Sequence, residues 1–285
     1  MIDQTPRRVA LNGIEIAYDD FGVAAQGSRP LVLVHGLTGH RADWHSRRSD
    51  LTSLGRCLAP DLRGHGDSSN TGDASSYCFQ QLVDDLRGLL DALSIDRCDL
   101  LGHSVGGMVA LRFCLQYPDR VASLIAMNTA PFAPIGYGRK LFEAGGAYAQ
   151  EHGMAALQAR AEEAAKSGKR PLAPADQHLE RWSDLYWRHH RRRFCAMDPL
   201  AYQELGCEMV DQAGVESRLG EIRCPTLVLV GSDDRDFLPG ADAIGAGIAG
   251  AQRVTIDNAG HHPHQENPEA WFRALREHLG RVRAA

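Results

Sequence analysis

One stretch constrains what this chain can fold into: Asp99-Leu100-Leu101-Gly102-His103-Ser104-Val105-Gly106-Gly107-Met108-Val109-Ala110. It reads as a short buried strand, an abrupt turn with a serine at its tip, and a helix. A turn that sharp leaves little room beside the serine, so glycine at 102 and 106 answers a steric demand, and the serine itself is strained. Such a turn lifts the hydroxyl above a sheet edge. It also aims the free N–H groups of the helix N-terminus at any negative charge that develops there. Glycine would be needed in a tight strand–helix turn of any purpose, so the other segments must decide.

The 285 residues suffice for one large α/β domain, or a core carrying an insertion. Lys+Arg 31 against Asp+Glu 36 gives a net charge of -5, which argues against a nucleic-acid partner. Met1-Ile2-Asp3-Gln4 shows neither the basic nor the apolar region of a secretory peptide. No apolar run is long enough to cross a bilayer. The seven cysteines are scattered without a Cys-x-x-Cys pair, which suits a reducing compartment. A cytoplasmic protein acting on a small molecule is expected, with no nucleic acid and no membrane; a homo-oligomer is left open.

In chain order, residues 9–18 predict a hairpin turning at Asn12-Gly13. Leu31-Val32-Leu33-Val34, residues 55–60, Cys98-Asp99-Leu100-Leu101, Val121 to Met127, residues 225–230 and 253–256 predict further strands. Helices are expected at 44–54, 79–93, after Ser104, at 241–250 and at 271–279. That alternation predicts an α/β fold with a mostly parallel central sheet and helices on both faces. From Pro131 to about Gly220 no apolar strand is found, and helices are expected at 141–165 and 178–195 around the loop Ser167 to Pro174. The organisation is therefore read as core 1–130, an inserted all-helical cap 131–220 and core 221–285.

A serine hydroxyl is a weak nucleophile that needs a base, and the base needs a group to hold its tautomer. The chain supplies Ser104 after one strand, acidic residues (Asp233, Asp234, Asp236) after a later one, and histidines (His261, His262, His264) after the last. Those histidines could alternatively be read as metal ligands. They are crowded around Pro263 with no carboxylate set beside them, so no metal is expected.

His35-Gly36, Asp61-Leu62-Arg63-Gly64-His65-Gly66-Asp67-Ser68, Gly102-His103-Ser104-Val105-Gly106-Gly107, Gly231-Ser232-Asp233-Asp234 and Gly260-His261 together resemble the α/β-hydrolase superfamily over nearly the whole chain. The resemblance implies Ser104 as nucleophile, Asp234 as acid and His261 as base. It also implies an oxyanion hole from the N–H groups of Leu37 and Val105, with no cofactor. The family's Gly-x-x-Asp pattern selects Asp234 over Asp233. Serine at the elbow speaks against the family's epoxide hydrolases and haloalkane dehalogenases, which attack with a carboxylate. Hydrolysis of a carboxylic ester or lactone fits best; a carbon–carbon hydrolase of ring-cleavage products and a cofactor-free perhydrolase are the alternatives. The substrate pocket is expected to draw on His35, Trp182, Tyr186, Trp187, Arg188 and His262. In the basic run Arg188 to Arg193, a helix seated by Trp187 and Phe194 turns Arg188, Arg191 and Arg192 to its flanks and outer side. A neutral or weakly charged ester or lactone is therefore favoured, with a single inward arginine as the competing expectation.

Overall fold

The computed structural model of the chain describes residues 5–23, 29–166 and 184–284, with the backbone alone at 165, 166 and 184–187. Runs with no polar face cannot border water, and they become the middle of one eight-stranded sheet. Its strands are β1 (Arg7–Leu11), β2 (Ile14–Phe21), β3 (Leu31–Val34), β4 (Cys57–Pro60), β5 (Cys98–His103), β6 (Val121–Met127), β7 (Thr226–Gly231) and β8 (Gln252–Ile256). They lie in the order β1-β2-β4-β3-β5-β6-β7-β8. The first two pairings, β1 with β2 and β2 with β4, are antiparallel, and the rest are parallel. Asn12 (φ 49°) and Gly13 (φ 76°) turn the hairpin with both residues at positive φ, as a two-residue type I′ loop requires.

Because side chains alternate along a strand, the central strands feed two cores. Val32, Val34, Leu100 and Leu124 pack against α2 (Phe79–Ala92) and α3 (Val105–Gln116). Leu31, Leu33, Leu101 and Ile125 pack on the other face with Trp44 and with Trp271 and Leu275 of α10 (Pro268–Ala284). Each such side chain, fully buried, contributes about 1.5–3 kcal/mol.

Between β6 and β7 the chain leaves the sheet and forms helices α4 (Arg139–His152), α5 (Met154–Lys166), α6 (Asp184–Cys195) and α7 (Pro199–Asp211). The single helix expected at 141–165 is two, because Gly153 at φ 86° turns the chain between them. Helix α7 is an addition to the elements expected from sequence. The loop 167–174 and the helix start before Asp184 lie outside the described residues. The expected helix 44–54 is instead a 3-10 segment, Arg41–Arg47, followed by α1 (Arg48–Thr52). Two shorter elements, α8 (Leu238–Gly247) and α9 (Pro263–Glu266), complete the core.

Polar contacts tie the insertion to the core. Asp198 caps α7, its N–H donates to Gly64 O at 2.8 Å, and its carboxylate accepts from Tyr77 Oη at 2.5 Å. His189 of α6 bonds Asp43 Oδ1 at 2.7 Å. Among the described residues, no helix is long and apolar enough to cross a membrane.

Candidate active site

The parallel strands all end on one edge, and the site is built from the loops beyond them. After β5 comes Ser104, at φ 54° and ψ -121°. A Cβ on Gly102 would overlap Gly106 O, and one on Gly106 would overlap His35 O, so both glycines are required by close backbone approach. The strained turn is held on both sides: Ser104 N–H donates to Met127 O at 3.0 Å, and Thr129 Oγ1 donates to Ser104 O at 2.7 Å. Val105 is the first residue of α3, so its N–H is one of the donors a helix leaves without an internal partner.

The loop after β7 places Asp234 at 0% exposure. Its Oδ2 meets His261 Nδ1 at 2.8 Å and accepts from Asn128 Nδ2 at 2.6 Å. Asn128, at the end of β6, also donates to Gly260 O at 3.0 Å, so one amide sets both the carboxylate and the loop that carries His261. With Nδ1–H directed at the carboxylate, His261 keeps Nε2 as a proton acceptor. Asp233 is half-buried and is not the carboxylate that His261 meets.

The backbone around His261 is fixed as well. Glu266 of α9 accepts from Gly260 N–H and, at 2.8 Å, from His262 N–H. His103 Nε2–H donates to His261 O at 2.7 Å. The rings of His103 and His262 crowd His261, with centroid separations of 4.8 Å (His103–His261) and 5.3 Å (His261–His262), and His264 packs behind them. Burial holds His103 and His262 well below the usual imidazole range and pushes His264 down to about 3, so these neighbours are neutral.

Ser104 and His261 open into one cavity of about 690 Å³, within the range of small-molecule sites. Leu37 and Thr38 border it after β3, His262 and Phe237 border it from the core, and Phe142, Gln158 and Arg193 face it from the insertion.

Several pocket expectations change. His35 is not in the cavity wall. It is fully buried one layer below, with Nδ1–H donating to Gly36 O at 2.8 Å and Nε2 accepting from Leu62 N–H at 3.0 Å. Burial pushes it down to about 4, which keeps it neutral for that bridge. Arg188 is exposed and outside the cavity wall, because its helical position turns it to solvent; Arg193, five residues on, is the inward one. Trp182 lies outside the described residues, as do the side chains of Tyr186 and Trp187.

Among the described residues, His40, Asp61 and Asp67 could share a cation. Arg41 already supplies one: its guanidinium bonds both Asp61 and, at 2.6 Å, Asp67. His40 Nδ1 is occupied in accepting from Ala42 N–H at 2.9 Å.

The model of the alpha/beta hydrolase fold matches residues 29–268. The chain belongs to that family. Among solved structures, it is similar to the enol-lactonase from Burkholderia xenovorans LB400: 26% identity and TM-score 0.81, covering 96% of this chain and 100% of that one. The malate-bound thermophilic esterase from Thermogutta terrifontis gives 28% identity and TM-score 0.81, covering 98% of both chains. Epoxide hydrolase 2 of Siraitia grosvenorii is 43% identical, but over 122 residues only, 42% of this chain and 37% of that one. The chain thus spans little more than a third of the length of the first curated relatives it matches.

Asn128, Glu266, Gln158 and Arg193 are site residues that sequence reasoning does not single out. Only Arg193 leaves a signal there, as a member of the basic run. The amide contacts depend on loops meeting across the sheet edge, and the two carboxylate contacts close a short turn onto α9 that follows no recognised spacing.

Proposed function

We propose that this alpha/beta hydrolase cleaves a carboxylic ester or lactone through a serine acyl-enzyme. The observation that carries the reading is that His261, bonded to the buried Asp234 at 2.8 Å, opens into the same cavity as a serine at a strained elbow. In this reading Ser104 Oγ bonds to the substrate carbonyl carbon while His261 Nε2 takes its proton. The oxyanion is held by the N–H groups of Leu37 and Val105, and Asp234 stabilises the imidazolium. His261 then returns the proton to the departing alkoxide, which leaves as an alcohol or, from a lactone, remains tethered to the acyl group. Water attacks the acyl carbon, gives its proton to His261, and Ser104 is restored. The segment 131–220 is the lid that excludes water and shapes specificity.

The enol-lactonase and esterase relatives support this chemistry. The partial match to epoxide hydrolases does not extend to a carboxylate at the elbow, where this chain has Ser104. A second reading, carbon–carbon hydrolysis of a carboxylate-bearing ring-cleavage product, draws its support from the buried arginine in the cavity wall. In the test, the protein is treated with a neutral phosphonate bearing a 4-nitrophenoxide leaving group and weighed intact. One adduct is expected in the wild type and none in Ser104→Ala. An adduct that persists in Ser104→Ala refutes the assignment, and turnover without any adduct transfers weight to the second reading.

A further inference from the structure

Three arginines of the described residues are buried: Arg41, Arg63 and Arg193. Two are matched in contact. Arg41 meets Asp19, Asp61 and Asp67, and Arg63 grips Asp85 through two bonds of 2.6 and 2.7 Å. Arg193, at 6% exposure, is different. Its described partners are uncharged acceptors, Thr38 O at 3.2 Å and His262 Nε2 at 3.3 Å. Among the described residues, no carboxylate oxygen lies within the 4.0 Å of an ion pair with it. Asp43 feels its charge, but Asp43 Oδ1 is engaged by His189 and Oδ2 by His40 N–H. A guanidinium carries five donors in a fork that fits a carboxylate, and this one borders the cavity that holds Ser104 and His261.

An independent observation marks the same cavity as built for a polar ligand. Gln158 of α5 lines it at 4% exposure, and its Oε1 is buried without a hydrogen-bond partner among the described residues. A buried acceptor left alone is costly unless a ligand donor reaches it, so Gln158 suits a hydroxyl or amide of the ligand and the carboxylate is left to Arg193.

We propose that Arg193 anchors a free carboxylate of the substrate, so that the enzyme acts on esters or lactones carrying a second, ionised carboxyl group. This rests on the ester or lactone reading of the site and narrows its substrate class. The guanidinium is the contact that an anionic substrate needs in order to shed water, and the substrate completes the ion pair that the protein leaves open. Apolar walls such as Leu37, Phe142 and Phe237 receive the carbon chain between the two carboxyl groups.

The test compares mono-4-nitrophenyl glutarate with its methyl-capped diester in wild type, Arg193→Gln, Arg193→Lys and Arg188→Ala. The wild type should favour the free carboxylate by about tenfold or more in kcat/KM, mostly through KM, the scale of one charge-assisted contact. Arg193→Gln should bring the ratio near one, Arg193→Lys should keep part of it, and Arg188→Ala should keep all of it. No preference in the wild type, or equal loss in Arg188→Ala, overturns the proposal. Calorimetry of glutarate and dimethyl glutarate with Ser104→Ala reads the anchor without turnover. Glutarate binding there that is lost on adding Arg193→Gln supports the anchor even if no ester is hydrolysed. Phosphonate labelling of Ser104 in a protein that ignores glutarate sinks the anchor alone.

Discussion

The Asp234 carboxylate is oriented by Asn128 and bonded to His261, whose flanking amides are held by Glu266. Replacing Asp234 by Asn puts an amide where Nδ1–H needs an acceptor and favours the wrong imidazole tautomer. A fall in kcat on the order of 10⁴, the size known for this change in another triad, is expected with folding intact. Asp233→Asn, which leaves that contact untouched, should change the rate little. Steady-state kinetics of the two variants decide it: equal small losses would remove Asp234 from the triad. At this scale the sequence is informative where a motif has one steric solution. Gly102 and Gly106 can be read because a side chain at either would overlap neighbouring backbone, and they frame Ser104 between them. Asn128 and Glu266 are invisible because their partners lie 106 positions away and in the neighbouring loop, respectively, and neither contact leaves a periodic trace.

Helix α7 shows the limit at the scale of elements. Its start signal is present, Asp198 as cap and Pro199 at the first position. Its buried face, however, includes Ala201, Gly206 and Cys207, which dilute the apolar stripe by which a helix is recognised. The small residues are there because α4 packs against it: a Cβ on Gly206 would overlap the Phe142 ring. Gly206→Ala should therefore push Phe142 from its seat in the cavity wall. The expected cost is about 1–3 kcal/mol in unfolding free energy, with an altered KM; unchanged thermal stability and KM would contradict this packing. Arg193 is hard to place from sequence for a related reason. It shares the buried side of α6 with Phe194, but a charge on a half-apolar face carries no sign of whether it looks outward or into a cavity.

For the whole molecule, buried histidines set the acid limit. Burial pushes His35 down to about 4 and His65 and His264 to about 3, whereas in the unfolded chain each titrates near the ordinary value of 6.5. Between those values the unfolded state binds more protons. Stability is therefore whole above about pH 6.5 and is lost as the pH falls, by up to about 1.4 kcal/mol per pH unit for each histidine. Urea unfolding should show a plateau near neutrality and a fall of several kcal/mol by about pH 4.5. A midpoint unchanged from pH 7 to pH 5 would show that these rings do not stay neutral. Carboxylates such as Asp43, held well below the usual range chiefly by Arg193 and His189 against the opposing effect of burial, join the loss only at lower pH.

The fully buried Asp99 opens the central part of the sheet in β5, and the cation that meets it at 2.9 Å is Arg283, 184 residues further along in α10. Arg29 stands off at 3.8 Å, and Ser123 Oγ donates at 2.8 Å. A chain leaving the ribosome therefore exposes the strand that leads to Ser104 long before that strand's counter-ion exists. Until α10 has been made, folding β5 into the sheet would bury a carboxylate with only a distant arginine and one hydroxyl beside it. The ion pair thus makes the seating of β5, the strand that leads to Ser104, depend on α10.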